Sequence, residues 1–409
     1  MNKPNRSTPS EPASPWKARL SILTLAHVVG TLHMVSVMAM APVIQQQLDL
    51  SATQVGLLVT AYYGAQTIGA FPAGGIVDRL GVGWTLVVAH VVLIFGALTF
   101  SQAMGFALAF AGCGVMGLGY SLTNPATARG VLEWCPPQRR ATAMGIKQTG
   151  VPIGGVLAAG NGALVTLISW QSIFWLVAGL TALHAFVCLL LIERPSQHAR
   201  GSFRSVIANL RQVIRDRNLG IMFVSSGFYN MAQMNFYAYL TLFMREAVQA
   251  SQPVAGLCLA IGQGASAIGR IGWGVVSDTL LRGRRKGLII CICGAAVVFF
   301  VAMAALQPGS PGVWLGMLLV LFLGLTIASF ASLIQTLTVE SVESRLAGSA
   351  MGYQLMGTSV GGMLGPPLFG LVVDLTGRFA NGWLLTALLT LAGTLWLASR
   401  FREGRVPAA

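Results

Sequence analysis

The chain has 409 residues, of which 55% are hydrophobic and 9% are charged, and its formal net charge is +14. So few charged residues exclude a soluble globular protein of this length, because it would have too little polar surface. The composition indicates an integral membrane protein. The excess of basic residues also suggests nucleic-acid binding as an alternative. The positions of these residues in the chain distinguish the two explanations.

Apolar runs of about 20 residues, the length that crosses a bilayer as a helix, recur along the chain. They are apolar on every face and lack the period-two alternation of barrel strands, so we predict an all-α membrane protein with twelve spans. The first run is too long for the core of a cleaved signal peptide and is predicted to remain as span one. The predicted spans are 20–44, 53–76, 84–103, 106–128, 141–164, 170–192, 219–243, 253–276, 287–306, 312–337, 347–373 and 380–399.

One long internal polar stretch, residues 193–218, separates six spans from six. We therefore predict an N-terminal six-helix bundle (20–192), a linker (193–218) and a C-terminal six-helix bundle (219–399), flanked by tails 1–19 and 400–409. Residues 203–214 of the linker alternate apolar and basic side chains at helical spacing. That pattern is typical of an interfacial helix on anionic lipid, and a solvated tether explains it equally well.

The basic residues are distributed very unevenly across the predicted membrane. Of the 26 Lys and Arg residues, 22 lie in the tails and loops on the side where the chain begins, and only Arg245 and Arg378 lie on the opposite side. This bias follows the positive-inside rule and predicts cytoplasmic termini in a multi-pass protein of the cytoplasmic (inner) membrane. Topology explains the positive charge, and no nucleic-acid partner is expected.

The two halves of the chain repeat each other. Residues 55–78 align without gaps with residues 255–278, and residues 143–157 align in the same way with residues 350–364. Glycines recur at matching helical positions, for example Gly56 with Gly256. Matching glycines predict matching close backbone contacts, so the halves are expected to share a fold and to pack about a pseudo-two-fold axis.

A signature follows span two and recurs after span eight. Residues 74–81 read Gly-Gly-Ile-Val-Asp-Arg-Leu-Gly, and residues 274–278 keep the Gly and the Asp, with a basic cluster a few residues later. The pair resembles the cytoplasmic signature of the major facilitator superfamily. The first copy lacks the terminal basic pair, and Thr279 replaces the Arg in the second.

This resemblance implies a fold of two bundles that rock about a central site and transport a substrate by alternating access. It also implies that Asp78, Arg79 and Asp278 act as gating residues, which hold the cytoplasmic ends of the halves together and then release them. A carboxylate at a helix end can bond the free backbone N–H groups of a neighbouring helix, which is the physical basis of such a latch. The alternative is that these residues are simple cytoplasmic stop signals after a helix.

Two basic residues, Lys147 in span five and Arg270 in span eight, lie inside the predicted spans, whereas none of the twelve acidic residues lies deep in one. A charge at mid-bilayer costs roughly 3 kcal/mol and usually has a partner. We therefore predict that the partner is an anionic substrate. Arg270 with Gly274 resembles the span-eight Arg and Gly of monocarboxylate and oxalate transporters, which implies a carboxylate. The alternatives are contacts of Arg270 with helix-end carbonyls or Asp278, and snorkelling of Lys147 to the surface.

Further polar residues inside the spans are predicted to complete the site. In the superfamily that the chain resembles, spans one, four, seven and ten line the cavity. The predicted substrate contacts are Asn124, Asn230, Gln233, Gln335, Tyr63 and Gln263, with interhelical hydrogen bonding as the alternative for each. Lys147, Gly154 and Asn161 share a face of span five that is predicted to meet the cavity.

His33, near the middle of span one, is the predicted coupling residue, because a solvated imidazole titrates near neutral pH. The alternative is a histidine satisfied by a backbone carbonyl. The predicted function is that of a permease: secondary transport of a small organic anion, in symport with a proton, by a monomer in the lipid bilayer.

Span five contains a glycine-proline segment, Gly145, Gly150, Pro152, Gly154 and Gly155, which resembles a motif of many antiporters in the superfamily. This segment favours the alternative function, an exporter of hydrophobic or cationic drugs. The spans show neither the acid-base constellation that a membrane enzyme needs nor the large external domain that a receptor needs. No catalytic residue, cofactor or metal is predicted, and the six cysteines lack zinc-site spacing.

Overall fold

The computed structural model describes residues 16–192, 212–281, 284–343 and 346–401, and these residues form helices joined by short turns. Most of the predicted tails and most of the predicted linker lie outside the described residues. In span order the helices are Trp16–Ala39 with Ala41–Leu48 (one), Ala52–Ser101 (two and three), Phe106–Ser121 with Thr123–Trp134 (four), Arg140–Gln148, Gly150–Ala159 and Asn161–Leu164 (five), Trp170–Cys188 (six), Arg217–Glu246 (seven), Gln252–Thr279 (eight), Arg285–Ala304 (nine), Ser310–Leu325 with Phe330–Glu340 (ten), Ala347–Thr376 (eleven) and Phe379–Arg400 (twelve).

Nine helical stretches in the described part of the chain are long and apolar enough to cross a membrane. One of these, Ala52–Ser101, contains two spans, because Gly81 interrupts it with a left-handed φ of 75°. Span five is divided into three shorter helices, and span seven carries polar residues such as Asn230 and Gln233. The nine stretches thus hold ten spans, and spans five and seven bring the number to twelve. The predicted all-α architecture of twelve spans is confirmed.

Prolines explain where spans five and eleven depart from a regular helix. Pro152 has no N–H, so the Gln148 carbonyl loses its usual partner four residues later, and the helix that ends at Gln148 restarts at Gly150. In span eleven, Pro367 leaves the Met363 carbonyl free in the same way. Thr60 of span two donates its hydroxyl to that carbonyl at 2.6 Å, so the proline creates a hydrogen bond between the halves.

The repeated glycines make equivalent contacts between the two halves. A Cβ on Gly56 of span two would lie 2.5 Å from the Pro366 backbone of span eleven. A Cβ on Gly256 of span eight would lie 2.9 Å from the Ala159 carbonyl oxygen of span five. Spans two and eight therefore play matching roles, each packing closely against one span of the other half.

Gly69 and Gly269, thirteen positions after Gly56 and Gly256, also match, and each contacts a residue of its own half. A Cβ on Gly69 would meet the side chain of Ser121 in span four, and a Cβ on Gly269 would meet that of Ser329 in span ten. Both serines lie at the break between the two helices of their span. The matching close contacts that the sequence repeat predicts are present in both halves.

The two ends of the helical bundle differ in how the halves meet. We call the end where span one begins the terminal side, and the opposite end the loop side. On the loop side, hydrogen bonds join the halves: Tyr239 to the Ala52 carbonyl, Thr241 to the Met38 carbonyl, Gln252 to the Ala39 carbonyl, and Asp374 to the start of span two. On the terminal side, no hydrogen bond joins the halves within the described ranges. Among the described residues, hydrogen bonds thus join the halves on the loop side and not on the terminal side.

Candidate substrate cavity

A cavity of about 510 Å³ lies between spans five, eight and ten, in the terminal-side half of the bundle. This volume is typical of sites that bind small molecules. Most of its surface is apolar, and five polar side chains reach it. The lining residues are Gly145, Gln148, Thr149, Pro152, Ile153, Val156, Leu157, Ala267, Arg270, Ile271, Ala331, Ser332 and Gln335.

Arg270 is the cation on the cavity wall. Its side chain is half-buried, its Nε is buried without a hydrogen-bond partner, and it forms no ion pair with any residue that the structure describes. The alternative contact with Asp278 is not made, since Asp278 instead pairs with Arg285 at 3.0 Å. Arg270 is therefore available to an anion that enters the cavity.

Lys147 lies at the end of the first helix of span five, next to the lining residue Gln148, and its side chain is only 3% exposed. It does not extend to the surface. Its Nζ donates to Asn124 Oδ1 at 2.7 Å and to Thr127 Oγ1 at 3.1 Å, both in span four. These partners are neutral, and no carboxylate among the described residues pairs with Lys147. Asn124 is itself exposed, so it connects the buried ammonium group to open space.

A polar network extends from Lys147 to span one. Thr127 also contacts His27, with Oγ1 and Nε2 2.9 Å apart, and the other ring nitrogen of His27 lies 3.4 Å from the Tyr120 hydroxyl. Thr31 of span one completes the chain of contacts, 3.5 Å from the same hydroxyl. Spans one, four and five thus share one hydrogen-bonded cluster that contains a single cationic side chain.

The predicted contacts in spans seven and ten differ in position. Gln335 lines the cavity as predicted. Asn230 and Gln233 are buried, and they donate to backbone carbonyls of Thr358 in span eleven and Ala328 in span ten, at 2.7 and 2.8 Å. Both follow the interhelical alternative in this conformation.

The remaining predicted contacts lie nearer the centre of the molecule. Gln263 is buried and packs against Gly155 of span five, where it helps to close the interface between spans five and eight. Tyr63 is half-buried and packs edge-on against Tyr62. Neither belongs to the lining of the cavity on the terminal side.

The predicted shared face of span five meets span one and not the cavity along most of its length. A Cβ on Gly154 would lie 2.4 Å from the Val28 carbonyl oxygen. The amide of Asn161 donates to Ser36 at 2.7 Å. The prediction for this face is wrong at these two positions, because close packing of small residues brings the helices together there.

His33, the predicted coupling residue, is fully buried. Its Nδ1 lies 3.1 Å from the Val29 carbonyl oxygen, and its Nε2 lies 3.4 Å from the Thr181 hydroxyl of span six. These contacts follow the backbone-bonded alternative. They place His33 between spans one and six, away from the cavity lining.

The predicted gating carboxylates form ion pairs within their own halves. Asp78 pairs with Arg129 of span four at 3.2 Å, and Arg129 also contacts Glu133. Asp278 pairs with Arg285, which forms a two-bond contact with Glu340 at 2.7 Å for each bond. Neither carboxylate bonds the backbone of a described residue in the opposite half.

Arg79, the third predicted gating residue, is exposed on the terminal side.

Several polar residues at the site were not predicted. Gln148, Thr149 and Ser332 line the cavity, and Thr127 joins Lys147 to His27. Gln148 and Thr149 directly follow Lys147 and precede Pro152. The break that this proline introduces was a usable signal, because a broken helix inside a membrane usually lines a cavity.

A helical membrane bundle of two repeated halves, with a cavity between them, is typical of membrane transporters. The sequence model of the Major Facilitator Superfamily matches residues 23–282 and 222–409. The chain belongs to this superfamily.

Comparisons with individual proteins agree with this assignment. The hexuronate transporter of Bacillus subtilis is 27% identical over 394 residues, which cover 91% of this chain and 92% of that protein. The galacturonate transporter of Dickeya chrysanthemi is 26% identical over 250 residues, covering 56% of this chain and 71% of that protein. A bacterial homologue of the human lysosomal transporter Spinster, solved in an inward-facing and unoccupied conformation, shares the fold with a TM-score of 0.79 at 15% identity, covering 97% of this chain and all of that one.

Proposed function

We propose that this protein is a secondary transporter of a small organic anion, a carboxylate of the sugar-acid kind, and that it works by alternating access. The observation that carries the proposal is the presence of two cations, Arg270 on the cavity wall and Lys147 beside it, with no acidic partner among the described residues. A carboxylate supplies the missing charge, and Arg can bind it through two parallel hydrogen bonds. The names of the hexuronate and galacturonate transporters support the same class of substrate.

The polar groups around the cations suit a hydroxylated anion. Gln148, Thr149, Ser332 and Gln335 offer donors and acceptors to hydroxyl groups along one wall. The apolar residues between them exclude water and strengthen the attraction between a bound carboxylate and Arg270. A cationic cargo would be repelled by the same two side chains, which argues against a drug exporter.

We assign the terminal side to the cytoplasm because of the strong bias of basic residues toward it. With this orientation, the conformation described here is inward-facing, and the loop-side hydrogen bonds form the closed outer gate. The membrane is then the cytoplasmic membrane, and the two halves rock about spans two, five, eight and eleven, which pack across the interface.

Uptake into proteoliposomes tests the proposal. Purified protein is reconstituted, and uptake of radiolabelled D-galacturonate, D-glucuronate and the neutral sugar D-galactose is compared. We expect uptake of at least one acid and none of the neutral sugar. Arg270→Ala should abolish uptake of the acid, whereas Arg378→Ala, which removes an exposed arginine on the loop side, should leave it unchanged.

Two results would contradict the proposal. Uptake that is equal in Arg270→Ala and in the unchanged protein would remove Arg270 from the site. Transport of cationic dyes in place of any carboxylate would favour the drug exporter.

A further inference from the structure

Three side chains that can bind metals meet in the interior of the N-terminal half, away from the substrate cavity. His90 comes from span three, and His184 and Cys188 come from span six. One ligand atom from each lies within 4.8 Å of the others. Their exposed fractions are 0%, 6% and 0%, so the cluster is shielded from water. None of the three lines the cavity or takes part in the proposed transport.

The hydrogen bonds of the two histidines favour one tautomer of each ring. His90 Nδ1 lies 2.5 Å from the Leu86 carbonyl oxygen, and His184 Nε2 lies 3.2 Å from the Ile22 carbonyl oxygen. A carbonyl oxygen only accepts, so both of these nitrogens carry the ring hydrogen in the neutral imidazoles. The other two nitrogens, His90 Nε2 and His184 Nδ1, are then without hydrogen.

These two bare nitrogens point at each other across 2.9 Å. Two lone pairs at that distance repel, and a positive charge between them, either a proton or a metal ion, removes the repulsion. The backbone carbonyls that hold the outer N–H groups act as the outer partners found on most metal-binding histidines, which fix the tautomer and the ring orientation. The pair is therefore arranged as two nitrogen ligands facing one cation.

Cys188 supplies a third ligand. It follows His184 by four residues on the same helix, so both side chains lie on one face. The Cys188 sulfur is 3.6 Å from His184 Nδ1. Metal–sulfur and metal–nitrogen bonds of about 2.3 and 2.0 Å at a tetrahedral angle put these two ligand atoms about 3.5 Å apart, close to the observed distance. The same bonds put the two histidine nitrogens about 3.3 Å apart, so the rings, whose facing nitrogens are now 2.9 Å apart, must separate slightly and Cys188 must turn toward His90 when an ion enters.

We propose that His90, His184 and Cys188 form a binding site for a copper(I) ion. Two imidazoles and a thiolate form the ligand set of trigonal copper centres. Binding replaces the thiol proton of Cys188, which is released to solvent as Cu⁺ joins the thiolate. The resulting assembly has no net charge, so burial in apolar surroundings costs little, whereas Zn²⁺ on the same ligands would leave one buried positive charge.

Copper binding can be measured without any transport assay. Tag-free protein in detergent is incubated anaerobically with Cu⁺ and desalted, and the retained copper is measured by mass spectrometry. A chromophoric copper(I) chelator then gives the affinity by competition. All variants carry Cys291→Ser, because Cys291 is the exposed cysteine of the six. Cys258→Ser, at a buried cysteine outside the cluster, is the matched control.

We expect about one copper per protein in the Cys291→Ser background and in the Cys258→Ser control. Cys188→Ser and His90→Asn should each weaken binding by about 100-fold or more, since even the loss of an outer partner costs 10- to 100-fold. X-ray absorption of the loaded background protein should show nitrogen and sulfur neighbours, which requires no cluster variant to fold.

Three results would overturn the proposal. The background protein could retain no more copper than Cys188→Ser does, which would leave the histidine pair holding a shared proton. Copper could bind equally to all variants. The absorption spectrum could show no sulfur neighbour.

Discussion

Asp374, at the end of span eleven, provides a sharp test of how the loop side stays closed. Its Oδ1 accepts from the Ala52 N–H at 2.9 Å, and its Oδ2 accepts from the Thr53 N–H at 2.8 Å and from the Thr53 hydroxyl at 2.5 Å. Ala52 is the first residue of the helix that begins span two. The carboxylate of one half therefore caps a helix of the other half and meets its partial positive charge.

Asp374→Ala removes all three hydrogen bonds. A buried hydrogen bond to a charged group contributes about 1.5–3 kcal/mol, but exposure of Asp374 to solvent reduces each contribution. We therefore expect the loss of all three bonds to cost about 2 kcal/mol. Since about 1.4 kcal/mol corresponds to a factor of ten, the ratio of loop-side-closed to loop-side-open molecules should fall by about 30-fold. Asp374→Asn, which keeps one acceptor oxygen but loses the charge, should have an intermediate effect.

Distances between spin labels on the terminal side can measure this shift. Leu80→Cys and Leu280→Cys place labels on exposed residues two positions after the signature Asp of each half. In the Cys291→Ser background, the open terminal side should give a long distance, and Asp374→Ala should add a population with a shorter one. Glu246→Gln, which alters an exposed carboxylate on the loop side, is the control. An unchanged distance distribution in Asp374→Ala would refute the reasoning.

Three further predictions follow from particular contacts. Lys147→Met leaves the cluster in span four without its cation and should weaken substrate binding at least 10-fold with normal expression, measured by uptake at several concentrations. Gly361→Ala should lower the unfolding free energy by about 1–3 kcal/mol, because the new Cβ would lie 2.0 Å from the Gly227 carbonyl oxygen. Gly352→Ala on the same helix is the control, because a Cβ there meets nothing within 4 Å. Equal thermal stability of the two variants would contradict this prediction. Gly81→Ala should cost about 1–3 kcal/mol by the same measurement, because a φ of 75° with a ψ of 173° is a conformation that essentially only glycine adopts.

The fold could be predicted well from the sequence because the bilayer imposes a simple rule on helix length and polarity. Most predicted span boundaries lie within a few residues of the observed helices. The breaks were harder to place. Span ten divides between Leu325 and Phe330 inside an apolar run that reads as continuous, because the break depends on contacts with other spans.

The sequence predicted the two charged residues of the candidate site and two polar ones, Gln335 on the cavity wall and Asn124 beside Lys147. Lys147 and Arg270 stand out because a cation is rare in a span, whatever its neighbours are. Their partners could not be deduced, since Thr127 and His27 are 100 residues apart in the chain and meet only after packing. Asn230 illustrates the converse, because a polar residue in a span has the same appearance in sequence whether it contacts a substrate or a backbone carbonyl.

The central claim is that Arg270 binds the carboxylate of the substrate. Calorimetry of purified protein with D-galacturonate, or with whichever acid is transported, tests it most directly. The loss of a hydrogen-bonded charge pair of about 1.5–3 kcal/mol should raise the Kd of Arg270→Ala by about 10- to 150-fold, while Arg378→Ala binds normally. Equal affinity of Arg270→Ala and the unchanged protein for the acid would contradict the account.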